Sequence, residues 1–319
     1  MTRTSRLRSL VCSALALALG AGLTLPARAA EVELVGITVG SLGNPYYAVT
    51  DRGIEETAKQ LTPAAKITAV SADYDLSKQF TQIQNFMAAG AQIVMLNAVD
   101  PVAIAPAVKQ AQAAGMVIAA FDVAAQGADI TVMTDNVKAG WEACDDIVKH
   151  LPASGGNVVI VNGPQISAIV DRVTGCKKAL AANPNIHILS SNQNGQASRD
   201  GGFAVGQGIL TQFPKIDAVF AINDPTAIGV DLAAKQMGRH EFFITSVDGS
   251  PDVVAALKDL HSLIRSSAAQ APYKMAAESY RIGVGILNGT KPANKIVLLA
   301  PTLVTRENVQ SFGGWSSQN

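Results

Sequence analysis

Val35-Gly36-Ile37-Thr38-Val39-Gly40-Ser41-Leu42-Gly43-Asn44-Pro45-Tyr46-Tyr47 decides how this chain is read. Val35, Ile37 and Val39 are β-branched, as a strand buried in a parallel sheet requires. Gly40 and Gly43 let the backbone turn sharply after it. Asn44 then stands as an N-cap, and Pro45 as the first helical residue, where a missing N–H is tolerated best. Tyr46 and Tyr47 follow at once, at the carboxyl end of the strand. Parallel α/β folds hold their ligands there.

Working outward, strands and helices alternate. Strands are expected at 65–70, 92–96, 117–121 and 130–133, and helices at 76–89 and 101–114. The order βαβα implies a parallel sheet with right-handed crossovers. Thr134-Asp135-Asn136 reads as a crossing to a second lobe, after which the rhythm repeats. There the strands are expected at 158–161, 186–190, 218–221, 242–247 and 263–266. The helices are expected at 137–151, 168–182, 199–213, 226–237, 251–260 and 273–287. Pro292, Pro301 and the Gly/Ser-rich stretch from Ser311 read as a return across the hinge and a loose terminus. The fold class is therefore α/β, two Rossmann-like lobes with parallel sheets. The first comprises residues 30–134 and 271–299, the second residues 135–270 and 300–319.

Before them comes an export signal. Arg3, Arg6 and Arg8 precede an apolar run from Leu10 to Leu25, and Ala27-Arg28-Ala29 is a small-x-small cleavage site, so residues 1–29 are assigned to a signal peptide. The run is short for a membrane anchor. The whole chain carries 25 basic and 25 acidic residues, but four of the basic ones lie in the signal, leaving 21 against 25. A mildly acidic exported protein has no electrostatic reason to seek nucleic acid or an anionic membrane. Cys12 leaves with the signal. Cys144 and Cys176 remain, an even pair in an oxidising compartment, either bridged or two buried thiols.

Signatures of catalysis are missing. The chain has no Gly-x-Ser-x-Gly, no His-Glu-x-x-His, no Cys-x-x-Cys and no phosphate loop. Gly283-x-Gly285 falls inside an expected helix, and His150, His187, His240 and His261 make no metal-ligand spacing. Asp73-Tyr74-Asp75 begins like a calcium loop but lacks the glycine and the distal glutamate, and reads instead as a turn and helix cap on Asp75. No cofactor, no metal and no enzymatic activity is expected. What recurs is a polar residue just past a strand: Asp122, Asn223, Asp248 and Gln270. Each alone reads as a turn residue or cap. Together with Asn44 and two tyrosines, on one side of the sheets, they suit a neutral, hydroxyl-rich small molecule.

Gly43-Asn44-Pro45-Tyr46-Tyr47, Asp135-Asn136, Phe220-Ala221-Ile222-Asn223-Asp224 and Val247-Asp248-Gly249-Ser250-Pro251-Asp252, in this order and spacing, resemble the solute-binding proteins of ribose-type sugar ABC importers. The resemblance covers essentially the whole mature chain. It implies a type I periplasmic binding protein, two lobes joined by a three-strand hinge that close over a sugar. Asn44, Tyr46 and Tyr47 match residues that bond and sandwich the sugar in the first lobe, and Asp122 matches the sugar-binding aspartate. Asn223, Asp248 and Gln270 match hydroxyl-binding residues of the second lobe and hinge, and Arg172 matches a neighbouring arginine. The chain departs from the family at Val123 and Val170, where arginines stand, and at Ala197, where an aromatic stands.

These readings together describe a periplasmic, monomeric receptor that gives a small neutral sugar or polyol to an ABC permease and its ATPase. The rival within binding proteins is a receptor presenting its ligand to a chemoreceptor or sensor kinase. The rival from another class is a secreted enzyme on the same fold. A transcriptional repressor is excluded, because an export signal stands where a helix-turn-helix would be needed.

Overall fold

The computed structural model describes residues 31–42 and 45–315. The export segment 1–29, Gly43 and the expected cap Asn44 lie outside the described residues. In chain order come β1 (Leu34–Val39), α1 (Pro45–Leu61), β2 (Lys66–Ser71), α2 (Leu76–Ala88), β3 (Ile93–Leu96), α3 (Ala105–Ala113), β4 (Val117–Phe121) and β5 (Ile130–Thr134). Then follow α4 (Asn136–His150), β6 (Gly156–Asn162), α5 (Ser167–Leu180), β7 (Ile186–Asn194), α6 (Arg199–Gln212), β8 (Ala218–Ala221) and α7 (Asp224–Met237). β9 (Phe243–Asp248), α8 (Pro251–Lys258), β10 (Ile264–Ala269), α9 (Pro272–Leu287), β11 (Ile296–Leu299) and β12 (Thr302–Thr305) complete the order. One sheet runs β11-β5-β4-β3-β1-β2 and the other β12-β10-β9-β8-β6-β7.

Among the described residues the helices and strands cross from one sheet to the other three times. The chain passes from β5 to α4, which packs on the second sheet, and from β10 to α9, which packs on the first. It passes last from β11 to β12, across Ala300 and Pro301. The strands pair in parallel, as expected for two Rossmann-like sheets, except that β12 runs antiparallel to β10. β12 continues straight from β11, so its direction is inherited from the first sheet rather than set by a crossover within the second.

Each sheet carries an apolar layer on both faces, because parallel strands are buried on both sides. Val35, Ile37 and Val39 face one way with Tyr280 of α9, while Val94, Leu96 and Ile118 face the other with Ile83 and Phe86 of α2. In the second sheet Val159 and Val161 face α6 and α7, and Val158 and Ile160 face α4 and α5. Each fully buried side chain of this kind contributes about 1.5–3 kcal/mol.

The backbone bends at Gly40, as expected, without a left-handed conformation; the glycine lies under the Tyr74 ring, where a Cβ would come within 2.6 Å of a ring carbon. Two expectations need correction. The helix expected from Pro101 begins only at Ala105, because Asp100 Oδ1 accepts the N–H groups of Val102 and Ala103 and holds residues 101–104 as a turn. The segment after Ser311 is not loose as far as it is described. Trp315 is only 7% exposed and belongs to the core of the first sheet. An indole buries more apolar surface than any neighbour in that stretch, which outweighs the local Gly/Ser composition.

α4 and α5 pack backbone against backbone. A Cβ on Gly140 would lie 1.9 Å from the Arg172 carbonyl oxygen, and one on Gly175 1.9 Å from that of Val137. This close approach brings the Cα atoms of Cys144 and Cys176 to 5.0 Å, and the two sulfur atoms are joined. On the chain-entropy model, closing a loop of this length stabilises the fold by roughly 3–4 kcal/mol. Unfolded, unreduced protein is expected to show no titratable thiol, and Cys144→Ser with Cys176→Ser to lower stability; two free thiols in the secreted protein would show the bridge does not form.

Candidate functional site

The ends of β1, β3 and β4 assemble the first half of the site. Tyr46 and Tyr47 sit in the first turn of α1, both nearly buried, with their rings edge to face at 5.5 Å. The Tyr46 hydroxyl donates to Asp122 Oδ1 at 2.8 Å, and the Tyr47 hydroxyl to Asn97 Oδ1 at 3.1 Å. Asn97 Nδ2 in turn donates to Asp122 Oδ2 at 2.8 Å. Asn97 is held from behind by Gln79, whose Nε2 donates to the Asn97 carbonyl and whose Oε1 accepts the Val99 N–H. Asp122 directly follows β4 with φ +66°, a left-handed backbone that aspartate tolerates better than most residues.

The second half is built at the ends of β9 and β10. The buried Asp248 carboxylate accepts Arg172 Nη1 at 3.1 Å and Gln270 Nε2 at 2.8 Å on the same oxygen, Oδ1. Arg172 also donates from Nε to Asn136 Oδ1 and from Nη1 to the Ile222 carbonyl. Gln270 Oε1 accepts the Thr134 hydroxyl at 2.8 Å, which ties the first crossing segment to the second. Behind them Asp224, fully buried, accepts the hydroxyls of Ser246 and Ser267 and the Ser250 N–H, fixing the turn that carries Asp248.

The two halves face one another. Arg172 and Asp248 both act electrostatically on Asp122, and Asp248 acts on both tyrosines. Burial, aided by the Asp122 charge, holds the Tyr46 and Tyr47 phenols well above their usual range, so both remain neutral donors. Burial also raises Asp122, against the Tyr46 hydrogen bond and Arg172, and raises Asp248, against Arg172 and Gln270. Asp224 is pushed up to about 7 by burial and by Asp248.

Of the residues singled out by sequence, Tyr46, Tyr47, Asp122, Arg172, Asp248 and Gln270 are thus brought together. Asn44 lies outside the described residues. Asn223 is engaged as the cap of α7: Oδ1 accepts the Thr226 N–H and Nδ2 donates to the Ala197 carbonyl. Val123 is buried, Val170 is exposed, and Ala197 has φ +51°. Sequence reasoning missed Asn97 and Trp315, and read Asn136 only as part of the crossing and of the family resemblance, not as a partner of Arg172. Asn97 follows β3 as Asp122 follows β4, so the strand-end rule could have found it. Trp315 carried no such signal. Among the described residues no group of three His, Cys, Asp or Glu stands close enough to hold a metal ion.

A family model described as a periplasmic binding protein domain matches residues 35–291. This chain belongs to the periplasmic binding protein family, with the type I fold of two mostly parallel sheets, and it is a ligand-binding protein rather than an enzyme. Within the family, the ribose import binding protein of Bacillus subtilis is 30% identical over 260 residues, covering 81% of this chain and 82% of that protein. The xylitol-binding protein of Mycolicibacterium smegmatis is 27% identical over 300 residues, covering 92% of this chain and 78% of its relative. The solved Caulobacter myo-inositol binding protein, bound to myo-inositol, superposes with a TM-score of 0.80 at 27% identity, over 90% of this chain and 97% of that one.

The raised carboxyls give the fold a pH dependence. Asp224 holds its proton up to about 7 in the folded chain, and Asp51, half-buried on α1 beside Glu55, up to about 6. Unfolded, both release it near pH 4, about the reference value for aspartate. The folded state therefore binds more protons across that window, and stability must fall as pH rises through it. The acids shifted downward, Asp73, Asp100, Glu241, Asp259 and Glu307, act below the window. The melting temperature is expected to be higher at pH 5 than at pH 8. Asp51→Asn should narrow the difference, since Asp51 Oδ1 is buried with no hydrogen-bond partner among the described residues. A melting temperature that climbs from pH 5 to pH 8 would contradict this.

Proposed function

We propose that this chain is the periplasmic solute-binding component of an ABC importer, which takes a small neutral sugar or polyol into the cleft between its lobes and delivers it to the permease. The observation that carries the reading is the convergence of two hydrogen-bonding clusters, Tyr46–Asp122–Asn97 on one sheet and Arg172–Asp248–Gln270 on the other, within this fold. Neutral phenols and amides beside carboxylates are donors and acceptors suited to hydroxyl groups. Relatives named for ribose, xylitol and myo-inositol, all neutral and polyhydroxylated, support that ligand class. The ligand contacts we assign are Asn44, Tyr46, Tyr47, Asp122, Arg172, Asn223, Asp248 and Gln270.

Charge supports the neutral choice. Arg172 is already paired with Asp248, and Val123 and Val170 stand where arginines would form further forks. A carboxylate or phosphate on the ligand would face Asp122 and Asp248 without a free bidentate partner. The three crossings of the chain are the hinge, residues 1–29 direct export, and the monomer closes on its ligand by a rigid-body swing of one lobe.

Thermal shift with D-ribose, xylitol and myo-inositol beside aldonic and uronic acids tests the ligand class. At about 100-fold above its dissociation constant a ligand adds roughly 2.7 kcal/mol of stability. At about 2–4 °C per kcal/mol that is a rise of several degrees. A neutral compound should give the shift, and Asp122→Ala should abolish it; a shift from acids alone would overturn the reading. Small-angle scattering at saturation should show a smaller radius of gyration, and an unchanged one would sink the closure mechanism.

A further inference from the structure

The segment after β12 is anchored on one lobe and inserted into the other. Val309, within a 3-10 turn at Val309–Ser311, is buried in the core of the second sheet, and Phe312 packs against the same core. Gly313 and Gly314 follow, Gly314 with φ +75°, and three residues beyond Phe312 the Trp315 ring lies in the core cluster of the first sheet. There it meets Tyr46 edge to face, centroids 5.5 Å apart and planes at 90°. Its Nε1–H donates at 2.6 Å to the Asp248 main-chain carbonyl, which also accepts the Gln270 N–H. One side chain therefore touches the residue that orients Asp122 and the residue that pairs with Arg172.

We propose that Trp315 is a residue of the binding cleft, a latch carried by the second lobe and seated in the first, whose indole supplies the aromatic wall that Ala197 does not. The inference rests on the sugar-receptor reading above. Separating the lobes must withdraw the indole from Tyr46 or break its bond to Asp248, so the latch favours the closed form. Beside the segment lies a cavity of about 260 Å³ lined in part by Gln270, Ala300, Phe312 and Gly314. By resting on Tyr46, the ring also sets how far that phenol reaches toward a ligand, and so what size of ligand fits.

Titration calorimetry of the full chain with D-ribose, xylitol and myo-inositol decides the matter, with the melting temperature as the folding control. Trp315→Ala should weaken whichever compound the wild type binds by roughly tenfold or more, the range of a buried aromatic anchor. Trp315→Phe keeps a ring but loses the Asp248 bond, and should fall between; it also serves if the alanine variant does not fold. In a Trp141→Phe chain Trp315 is the sole indole, and its quenching by iodide should decrease when the bound compound is added. A folded Trp315→Ala with affinity within about twofold of wild type, below the effect expected of an anchor, would overturn the proposal. If the wild type binds none of the three and only the aldonic or uronic acids, the sugar-receptor reading fails by itself. Iodide then judges the latch alone: a shielded Trp315 retains it, and a freely quenched one removes it.

Discussion

The site depends on a carboxylate that cannot leave the protein interior. Asp248 is buried at the end of β9, where burial raises its carboxyl and Arg172 and Gln270, which meet it there, act against that rise. Removing one partner of such a pair leaves an uncompensated buried charge, which costs far more than the pair contributes. Everything around it reads as support. Asn136 holds Arg172 from the first residue of α4, Asp224 and its serines hold the turn after β9, and Thr134 holds Gln270. Thr134, Asn136 and Gln270 belong to segments where the chain passes between the sheets. The same bonds that satisfy Asp248 therefore fasten two of the three crossings to each other.

The strand-end aspartates share a backbone peculiarity. Asp122 has φ +66° and Asp248 φ +135°, conformations that cost non-glycine residues on the order of 1–3 kcal/mol. A side chain at the tip of a parallel strand in ordinary extended geometry would alternate into one layer or the other. Positive φ takes the carboxylate out of that alternation, to the sheet edge where its hydrogen-bond partners stand. The surrounding hydrogen bonds over-determine that orientation, Asn97 and Tyr46 at Asp122, Arg172 and Gln270 at Asp248.

The tight seam between α4 and α5 has a similar role at longer range. Gly140 and Gly175 permit a backbone approach that any side chain would block. That approach joins Cys144 to Cys176 and also sets Arg172, one turn before Cys176, at the depth needed to reach Asn136 and Asp248. Scaffold and site are thus adjusted by the same pair of glycines.

Local sequence determined the alternation of β-branched strands with capped helices, and with it the fold class. Asp75, Asp135, Ser198 and Ser250 each cap a helix through a side chain within three residues of the bonded N–H, an interaction that short-range pattern contains in full. Strand-end polar residues were legible for the same reason, since a parallel strand delivers its last residue to the ligand edge wherever it sits in the sheet. Tertiary structure alone decided the rest. Whether Arg172 turns toward Asp248, 76 positions away, and whether α4 meets α5 closely enough to join two cysteines, depend on how helices settle on a shared sheet. Trp315 shows the limit most clearly. Its neighbours read as a flexible glycine- and serine-rich stretch, yet its burial is set by Tyr46, far earlier in the chain, and the hydrophobic gain of seating an indole has no signature in the residues beside it.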